Sequence, residues 1–352
     1  MKVLVLYNYL FHYRIPIFRL LAKFVDLTVA YSFGEGFSED LNFDVIKIPA
    51  FRFGRFVYQM RNLKKICNSF DVIIVYGDIA WLKYSTLPFR KKRNYKVIFW
   101  SPGVSASYTK KFDEMTKWDA VRDYFYKKAD ALIFYTEYPI SKYIRRGFSR
   151  EKLFVARNTV EVKDNNKYNI EKKDSILFIG TLYMQKGILF LLNSYYEAYK
   201  TCPNLLPLNI IGGGKELNKV MEWIEKRRLG HKVFVIGPVY DDRRKSDFFS
   251  KAFACISPVQ AGLSVLESFG YGVPFVTMTN ALTGGERLNI QNGYNGILLQ
   301  NLSELTNSIL DISKNRDKYI QMGARAKKYY SEKAKPIDMV KGILQAIDFV
   351  RQ

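Results

Sequence analysis

The sequence predicts an α/β protein with two domains in tandem, each a mostly parallel sheet covered by helices. Three observations support this prediction: the chain has 352 residues, 48% of them are hydrophobic, and short apolar runs alternate with helical segments along its length. The length suits two domains of ordinary size, and the apolar fraction is enough to build a core in each. Strands that alternate with helices form parallel sheets, because each helix returns the chain to the same end of the sheet.

Six apolar runs mark the strands of the first predicted domain, residues 1–160. They are Lys2 to Tyr7, Leu27 to Tyr31, Val72 to Tyr76, Val97 to Trp100, Ala131 to Tyr135 and Leu153 to Ala156. Each run is short and rich in β-branched or aromatic residues, as strands are. The polar stretch that follows them lacks periodicity, so we predict an interdomain linker at residues 161–174.

The same pattern restarts in the second predicted domain, residues 175–336. Its strand-like runs are Ser175 to Gly180, Leu208 to Gly212, Val233 to Gly237, Ala252 to Ser257, Phe275 to Thr277 and Gly296 to Leu299. After this domain, the segment from Ile337 to Val350 predicts a final helix. The sequence therefore predicts two α/β domains of similar size, followed by one further helix.

The chain is strongly basic, with 55 Lys and Arg residues against 33 Asp and Glu residues and a formal charge of +22. The excess is concentrated in residues 51–150, which hold 21 basic and 8 acidic residues. Such a surface attracts anionic partners. Two clusters stand out, Phe51 to Ile66 and Arg90 to Arg93 with Lys96, and we expect them to make peripheral contact with an anionic membrane.

The first cluster has a second interpretation. Four apolar residues, three within the cluster and one directly after it, recur at helical spacing, which is typical of a solvated helix with its apolar side in the core: Phe56, Met60, Leu63 and Cys67. On this interpretation the cations would lie on an ordinary solvent-exposed face and would need no partner.

Membrane-spanning and secretory segments are not expected. No apolar run reaches the roughly 18 residues needed to cross a bilayer, and the first strand is too short for a signal peptide. The three cysteines, Cys67, Cys202 and Cys255, are far apart and predict neither disulfides nor a zinc site. We therefore expect a cytoplasmic protein, located at the cytoplasmic face of the membrane.

One carboxylate lies in an otherwise apolar helix beside a glycine-bearing loop. Glu267 belongs to the segment from Ser257 to Thr277, in which Gly262 opens a short helix that a second strand follows. Its side chain should therefore lie near the carboxyl ends of the strands. A carboxylate can accept hydrogen bonds from the two vicinal hydroxyls of a ribose. The alternative is an exposed helix carboxylate without a ligand.

Two glycine-rich loops precede this segment. Gly180 to Gly187 follows a strand, and Lys186 stands at the start of the next helix, where backbone N–H groups and a cation can share a diphosphate. Gly212 to Gly214 also closes a strand, and glycine allows a ligand to approach the backbone closely. The alternatives are a solvated lysine at a helix start and a plain turn.

In this order, the three segments resemble the retaining family-4 glycosyltransferases. Ser257 to Thr277 is similar to the nucleotide-sugar signature of that family, and Gly180 to Gly187 is similar to its Gly-Arg-Leu-x-x-x-Lys-Gly loop. The resemblance implies the GT-B architecture, in which two Rossmann-like doubly wound domains face a cleft. It also implies that the final helix, residues 337–352, crosses back to the first domain.

The resemblance assigns roles to individual residues of the second domain. It implies that Glu267 binds the ribose of the donor, and that Lys186, Thr181 and Gly187 hold its diphosphate, Lys186 with a catalytic role. It places further donor-binding residues in the glycine loop and in the signature: Gly212, Gly213, Gly262 and Leu263.

Three positions depart from the family pattern. Val259 stands where members have a glutamate near the transferred sugar, Thr181 replaces an arginine, and Pro102 replaces a histidine that touches the sugar. The departures fit either an altered donor geometry or a diverged member that has lost activity.

The first strand-to-helix turn, Tyr7 to Pro16, occupies the place of a loop that faces the cleft in the family. The resemblance therefore implies that His12 and Arg14 face the acceptor, with a catalytic role for His12, and that Trp100 also binds the acceptor. A histidine on a loop is equally compatible with a structural role.

The expected function is a retaining transfer of a sugar from a UDP- or GDP-linked donor to a saccharide or a lipid-linked saccharide, in surface polysaccharide biosynthesis. The proton of the acceptor passes to the leaving diphosphate oxygen, where fixed positive charge from Lys186 stabilises the developing charge. We expect no metal and no cofactor beyond the donor, since the sequence has no Asp-x-Asp motif.

Two other functions fit the same sequence. A GT-B protein without activity could serve as a binding subunit, as Val259 and Pro102 would allow. A basic nucleic-acid-binding protein could use the charge of +22 and the 25 tyrosines for phosphate contacts and base stacking. Since no known nucleic-acid motif is present, we expect no nucleic-acid partner.

Overall fold

The structure is a computed structural model that describes residues 1–34, 40–105, 112–163 and 173–352. Within these ranges the chain divides into two units. The first unit comprises Met1–Ser105, Asp113–Glu161 and Pro336–Gln352, and the second comprises Phe112 and Val162–Lys335. The predicted linker, residues 161–174, falls largely on residues outside the described ranges.

A seven-stranded parallel sheet forms the centre of the first unit, and a two-stranded hairpin accompanies it. The strands are β1 (Lys2–Leu6), β2 (Asp26–Tyr31), β3 (Asp44–Lys47), β4 (Ala50–Phe53), β5 (Phe56–Gln59), β6 (Val72–Tyr76), β7 (Lys96–Ser101), β8 (Ala131–Phe134) and β9 (Leu153–Val155). The order across the sheet is β3-β2-β1-β6-β7-β8-β9, while β4 and β5 form the antiparallel hairpin. The sheet contains all six predicted strands, and β3 is the strand that was not predicted.

The apolar character of these strands follows from burial on both faces of the sheet. In β1, Val3 and Val5 belong to the core on one face, and Leu4 and Leu6 belong to the core on the other. Successive side chains of a strand point to opposite faces, so a sheet that is covered on both sides needs apolar residues at every position. The described residues of this unit before Val162 form five α-helices: α1 (Ile15–Leu21), α2 (Leu63–Cys67), α3 (Leu82–Ser85), α4 (Trp118–Tyr126) and α5 (Tyr138–Arg145).

The second unit repeats this organisation with six parallel strands. They are β10 (Ser175–Ile179), β11 (Leu208–Ile211), β12 (Val233–Gly237), β13 (Ala252–Ile256), β14 (Phe275–Met278) and β15 (Gly296–Leu299). Their order is β12-β11-β10-β13-β14-β15, so the direction of strand addition reverses between β10 and β13. All six strands were predicted from the sequence.

Six helices cover the sheet of the second unit. They are α6 (Ile188–Thr201), α7 (Leu217–Lys226), α8 (Asp242–Lys251), α9 (Ser264–Gly270), α10 (Ser303–Lys314) and α11 (Arg316–Lys333). Ile176 and Phe178 of β10 pack into one core of this unit, and Leu177 and Ile179 pack into the other. Both faces of the sheet are therefore buried, as in the first unit.

The last helix, α12 (Pro336–Arg351), returns to the first unit, as predicted. Met339, Val340 and Ile343 are fully buried in the core that also contains Val3 and Val5. Full burial of such a side chain contributes about 1.5–3 kcal/mol. Packing of this helix is close, because a Cβ atom built on Gly342 would lie 2.0 Å from the carbonyl oxygen of Val155 in β9.

The structure corrects the helical interpretation of the first basic cluster. Phe56 lies in β5, and only Leu63 and Cys67 belong to a helix, α2. Gly54 has a φ of +55°, which permits the tight turn between β4 and β5. Asn62 then caps α2, where its side-chain oxygen accepts hydrogen bonds from the backbone N–H groups of Lys64 and Lys65.

Within the described ranges, no helix combines the length and the apolar character that crossing a bilayer requires.

Replacement of Gly342 by alanine tests the packing of α12. Helix propensity alone predicts that Gly342→Ala stabilises the protein by about 1 kcal/mol. The contact with the Val155 carbonyl predicts the opposite sign, a loss of about 2 kcal/mol in the free energy of unfolding, because the helix must move away from β9. Urea denaturation measures the difference.

The exposed neighbour Lys341 provides the control, since Lys341→Ala leaves the contact with β9 unchanged and should shift stability by less than about 0.5 kcal/mol. A stabilised Gly342→Ala variant would show that α12 does not pack against β9 in this way.

Candidate functional site

The candidate site lies where the strand order of the second unit reverses. The loop Gly180–Gly187 follows β10, and the loop Ser257–Leu263 follows the adjacent strand β13. In open parallel sheets, ligands bind at the carboxyl ends of the strands at such a switch point. Two of the three segments singled out in the sequence therefore meet at the position that this fold favours for a ligand.

The third segment, the glycine loop after β11, joins the first through backbone contacts. The N–H of Leu182 donates to the carbonyl of Gly213 at 2.9 Å, and the N–H of Glu216 donates to the carbonyl of Leu182 at 3.0 Å. A Cβ atom at Gly212 would lie 1.9 Å from the carbonyl oxygen of Gly180. Glycine is therefore required at position 212 because the two loops touch, whatever ligand binds there.

Lys186 is enclosed by these loops. It ends a short 3-10 turn, Met184–Lys186, and Gly187 with a φ of +69° connects that turn to α6. Only 8% of Lys186 is exposed, and its side chain folds back over Gly180, where a Cβ atom would lie 3.2 Å from the ammonium nitrogen. The predicted place at a helix start is correct, but the lysine is buried.

Burial sets the electrostatics of Lys186. Desolvation lowers the pKa of its ammonium group, against opposing contributions from Cys255, Glu286 and Glu267. The ammonium group forms no ion pair with the residues that the structure describes. A buried cation in this state gains stabilisation from any anion that reaches it, because attraction is strong where the effective dielectric constant is low.

Glu267 lies in the first turn of α9 and is largely buried. Its Oε1 atom is 3.2 Å from the ammonium nitrogen of Lys245, which lies on α8. Burial would lower the pKa of Lys245, but the carboxylates of Glu267 and Asp242 outweigh it and raise that pKa. Sequence reasoning missed Lys245, because 22 residues separate it from Glu267 and no motif marks it.

A second carboxylate approaches the site from the loop after β14. Glu286 is 5% exposed, and its Oε2 atom accepts hydrogen bonds from the Thr283 hydroxyl at 3.1 Å and the Gly284 N–H at 2.9 Å. Backbone hydrogen bonds at 2.8 Å from Leu282 to Val259 and from Ala261 to Leu282 hold this loop beside the signature. The sequence shows Glu286 beside Gly284 and Gly285, but does not show that it is buried near Lys186.

Val259 fills the space where the family resemblance implies a glutamate. A Cβ atom on Gly187 would lie 2.4 Å from its Cγ2 atom, so the side chain packs directly against the lysine loop. The neighbouring Gln260 accepts a hydrogen bond from the Tyr183 hydroxyl. These contacts tie the signature loop to the loop that carries Lys186.

The remaining predicted donor residues border the same loops. Thr181 is exposed, which leaves its hydroxyl accessible. Gly262 and Leu263 directly precede α9 and are partly exposed. A Cβ atom on Gly262 would meet no atom within 4 Å, so open space adjoins this residue. Gly213 packs against Pro238.

Of the three residues predicted to face an acceptor, the structure exposes His12 and buries Arg14 and Trp100 together, with the Arg14 guanidinium carbon 5.0 Å from the centroid of the Trp100 ring. His12 is exposed in the 3-10 turn His12–Arg14. Arg14 is 2% exposed and donates hydrogen bonds from Nη2 to the Tyr135 hydroxyl at 3.1 Å and to Asn158 Oδ1 at 2.7 Å. Trp100 is 1% exposed in the core of the first unit. Both side chains are therefore buried in the first unit, and an acceptor role for Arg14 and Trp100 stays a prediction.

Among the described residues, no group of three or more His, Cys, Asp or Glu side chains is arranged to hold a metal ion.

Comparison with known proteins gives the following matches. Residues 161–329 match the family of glycosyl transferases group 1. Poly(glycerol-phosphate) alpha-glucosyltransferase of Bacillus subtilis strain 168 is 26% identical over 214 residues, which cover 59% of this chain and 31% of that protein. An uncharacterized 41.2 kDa protein in the cps region of Klebsiella pneumoniae is 25% identical over 296 residues, 79% of this chain and 78% of that protein.

An uncharacterized glycosyltransferase of Methanocaldococcus jannaschii is 32% identical over 179 residues, 46% of this chain and 42% of that protein. The chain thus spans less than half the length of the Bacillus and Methanocaldococcus proteins.

A solved structure shares the fold over the full chain. HepE of Anabaena in complex with UDP superposes with a TM-score of 0.76 at 14% identity, over 99% of this chain and 100% of that chain. At this identity the likeness concerns the fold, which is GT-B with two Rossmann-like domains. The family match is confined to residues 161–329, and the likeness to the solved structures concerns the fold.

Proposed function

We propose that the protein transfers a sugar from a nucleotide-sugar donor to a saccharide acceptor. The observation that carries this proposal is a buried lysine, Lys186, held between glycine loops at the switch point of the second unit, with the carboxylate of Glu267 in the same site. A cation and a carboxylate that follow adjacent strands suit the two parts of a nucleoside diphosphate: the cation binds the diphosphate, and the carboxylate accepts from the ribose hydroxyls.

The diphosphate is the part of the donor that Lys186 recognises. Its negative charge replaces the water that the ammonium group has lost through burial, and the N–H groups at the start of α6 add further donors. Such a group acts as a fixed electrostatic stabiliser and needs no rearrangement during the reaction. Thr181 contributes an exposed hydroxyl in place of a second cation.

The proposed reaction is a retaining transfer. The bond from the anomeric carbon to the diphosphate oxygen breaks, and a bond from the acceptor oxygen to the same carbon forms on the same face of the sugar. The acceptor's hydroxyl proton passes to the departing phosphate oxygen, which is the base. Lys186 lowers the barrier because it stabilises the negative charge that develops on that oxygen, and we propose that no metal ion takes part.

UDP is the nucleotide that we propose for the donor, because the Anabaena HepE structures contain UDP, UDP with glucose, and UDP-glucose. For the acceptor we propose a surface saccharide or its lipid-linked precursor. Support comes from the Bacillus enzyme, named for poly(glycerol-phosphate), from the Klebsiella protein of a cps region, and from the fold likeness to a lipopolysaccharide outer core galactosyltransferase. His12 is the exposed residue that we propose for acceptor binding in the first unit.

We also propose that the β4–β5 hairpin contacts an anionic membrane surface, where a lipid-linked acceptor would lie. Large apolar side chains project from it, with Phe51 52%, Phe53 77% and Met60 64% exposed. Basic side chains lie beside the hairpin. The Lys83 ammonium nitrogen, for example, is 4.4 Å from the centroid of the Tyr58 ring in β5. Aromatic side chains and basic residues on one surface favour the interface of an anionic bilayer.

In the second basic cluster, Arg90 to Arg93 with Lys96, one of the cations is already paired with an acidic residue of the protein. Arg93 donates to Asp130 at 2.6 Å, so its charge is already paired, whereas Lys91, Lys92 and Lys96 are exposed. We therefore assign the main membrane contact to the hairpin.

A binding subunit without activity is the second candidate, and one observation favours it. Val259 fills the place of a sugar-contacting carboxylate with an apolar side chain that packs on Gly187. Donor hydrolysis distinguishes the two functions. An active transferase releases UDP from UDP-sugar in water at a slow rate, whereas a binding subunit binds the donor and leaves it intact.

Substitutions at Lys186 and Glu267 test the donor site. Glu267→Gln should weaken UDP binding about tenfold, because a neutral amide replaces a charge-assisted acceptor, and Lys186→Met should weaken it at least as much. In a thermal-shift experiment, UDP at 100 times the wild-type Kd should add about 2.7 kcal/mol of stability to the wild type and clearly less to either variant.

Glu222→Gln and Lys226→Met change the same residue types on the exposed face of α7 and serve as controls, with wild-type affinity expected. Equal stabilisation of all five proteins by UDP, or of none, would exclude this donor site.

Vesicle sedimentation tests the hairpin. The wild type should bind vesicles that contain anionic phosphatidylglycerol and release at high salt, because screening removes the attraction of the cations. Phe53→Ser should reduce binding several-fold, since burial of a phenylalanine contributes roughly 2 kcal/mol.

Phe234→Ser removes a 40% exposed phenylalanine from the second unit and should leave vesicle binding unchanged. Equal binding to anionic and purely zwitterionic vesicles, or a Phe53→Ser variant that binds like the wild type, would remove the membrane proposal.

A further inference from the structure

Lys245 holds the carboxylate of Glu267 from a neighbouring helix. Its ammonium nitrogen lies 3.2 Å from Glu267 Oε1 and 3.1 Å from Asp242 Oδ1. The side chains of Lys245 and Glu267 are only 18% and 17% exposed. The ammonium group thus bridges two carboxylates, one on its own helix and one in the candidate site.

The position of Lys245 is fixed by elements outside the site. Asp242 precedes it by three residues on α8 and also lies 3.4 Å from the ammonium nitrogen of Lys163. Ser246 and Phe249, on the buried side of α8, anchor the helix in the unit. Three ion pairs therefore follow one another, with positive and negative residues in alternation. The series ends at the carboxylate of the site, and its members are, in order, Lys163, Asp242, Lys245 and Glu267.

We propose that Lys245 is a positioning residue of the nucleotide site: it pins one oxygen of Glu267 so that the other oxygen is presented to the ribose hydroxyls. This inference rests on the ribose contact given under the proposed function. A glutamate has three rotatable side-chain bonds, and a free carboxylate would have to lose that freedom when the nucleotide binds. An ammonium group that already holds Oε1 reduces this cost.

A second ion pair, within α8, is an example of an ordinary surface pair and serves for comparison. Lys251 and Asp247 are one turn apart, their nitrogen and oxygen atoms are 2.8 Å apart, and 39% and 54% of their side chains are exposed. Exposed pairs of this kind contribute little. The Lys245–Glu267 pair instead joins two helices, is half as exposed, and ends at the carboxylate of the site.

The experiment compares UDP with 2′-deoxy-UDP in wild type, Lys245→Met, Lys245→Arg, Lys251→Met and Glu267→Gln. The measured quantities are the two Kd values, obtained by isothermal titration calorimetry, and their ratio. The wild type should prefer UDP, since the 2′-hydroxyl is one of the groups that Glu267 binds. Lys245→Met should weaken UDP binding about fivefold to tenfold and 2′-deoxy-UDP binding by less, so that the preference shrinks.

The other variants separate positioning from general effects of charge. Lys245→Arg keeps a cation that can reach Glu267 and should restore most of the preference, and Lys251→Met should resemble the wild type. If Lys245→Met does not fold, Asp242→Asn gives the same test with a smaller loss, because it removes only the second anchor of the ammonium group.

Two results would overturn the inference. One is a Lys245→Met variant with wild-type affinity and wild-type preference. The other is an equal loss of affinity for both nucleotides, which would indicate support of the fold or of the net charge. A failure of the ribose contact itself has a different signature, since Glu267→Gln would then bind UDP as the wild type does.

Discussion

The buried ammonium group of Lys186 is the constraint on which the site depends. Three loops meet around this group. At several glycines in these loops, a neighbouring atom occupies the space that a side chain would need. Lys186 itself covers Gly180, Val259 packs on Gly187, and the carbonyl of Gly180 touches Gly212. A side chain at Gly212 would push two of the loops apart, because the atom that it would meet belongs to the backbone, so the same close packing that encloses the cation also determines the shape of the space around it.

Charge balance explains why the protein can keep this cation buried. Desolvation of an ammonium group is costly, and Glu286 and Glu267 offset part of that cost without forming a direct ion pair with Lys186. Glu267 is in turn held by Lys245 and Asp242 on α8. The carboxylates therefore stabilise the buried ammonium group, and one of them, Glu267, is the residue that we propose for the ribose contact.

The strands, and the places of Lys186 and Glu267 after two of them, were predictable from the sequence because both depend on local pattern. Buried parallel strands are apolar throughout, and Lys186 and Glu267 each follow such a strand within a few residues of a glycine. Lys245 was not predictable, because its partner lies on another helix and only the packing of α8 against α9 brings them together. The hairpin was missed because the spacing from Phe56 to Cys67 fits a helix and a hairpin followed by a short helix equally well. Trp100 is buried because both faces of the sheet around β7 are covered, and the acceptor role implied by the resemblance did not take this burial into account.

A crystal structure of the protein with UDP would test the central claim most directly. The account predicts that the diphosphate lies within about 3 Å of the Lys186 ammonium group, and that a ribose hydroxyl lies at a similar distance from the carboxylate of Glu267. UDP bound elsewhere, or bound beside these loops with neither side chain in contact with it, would contradict the account.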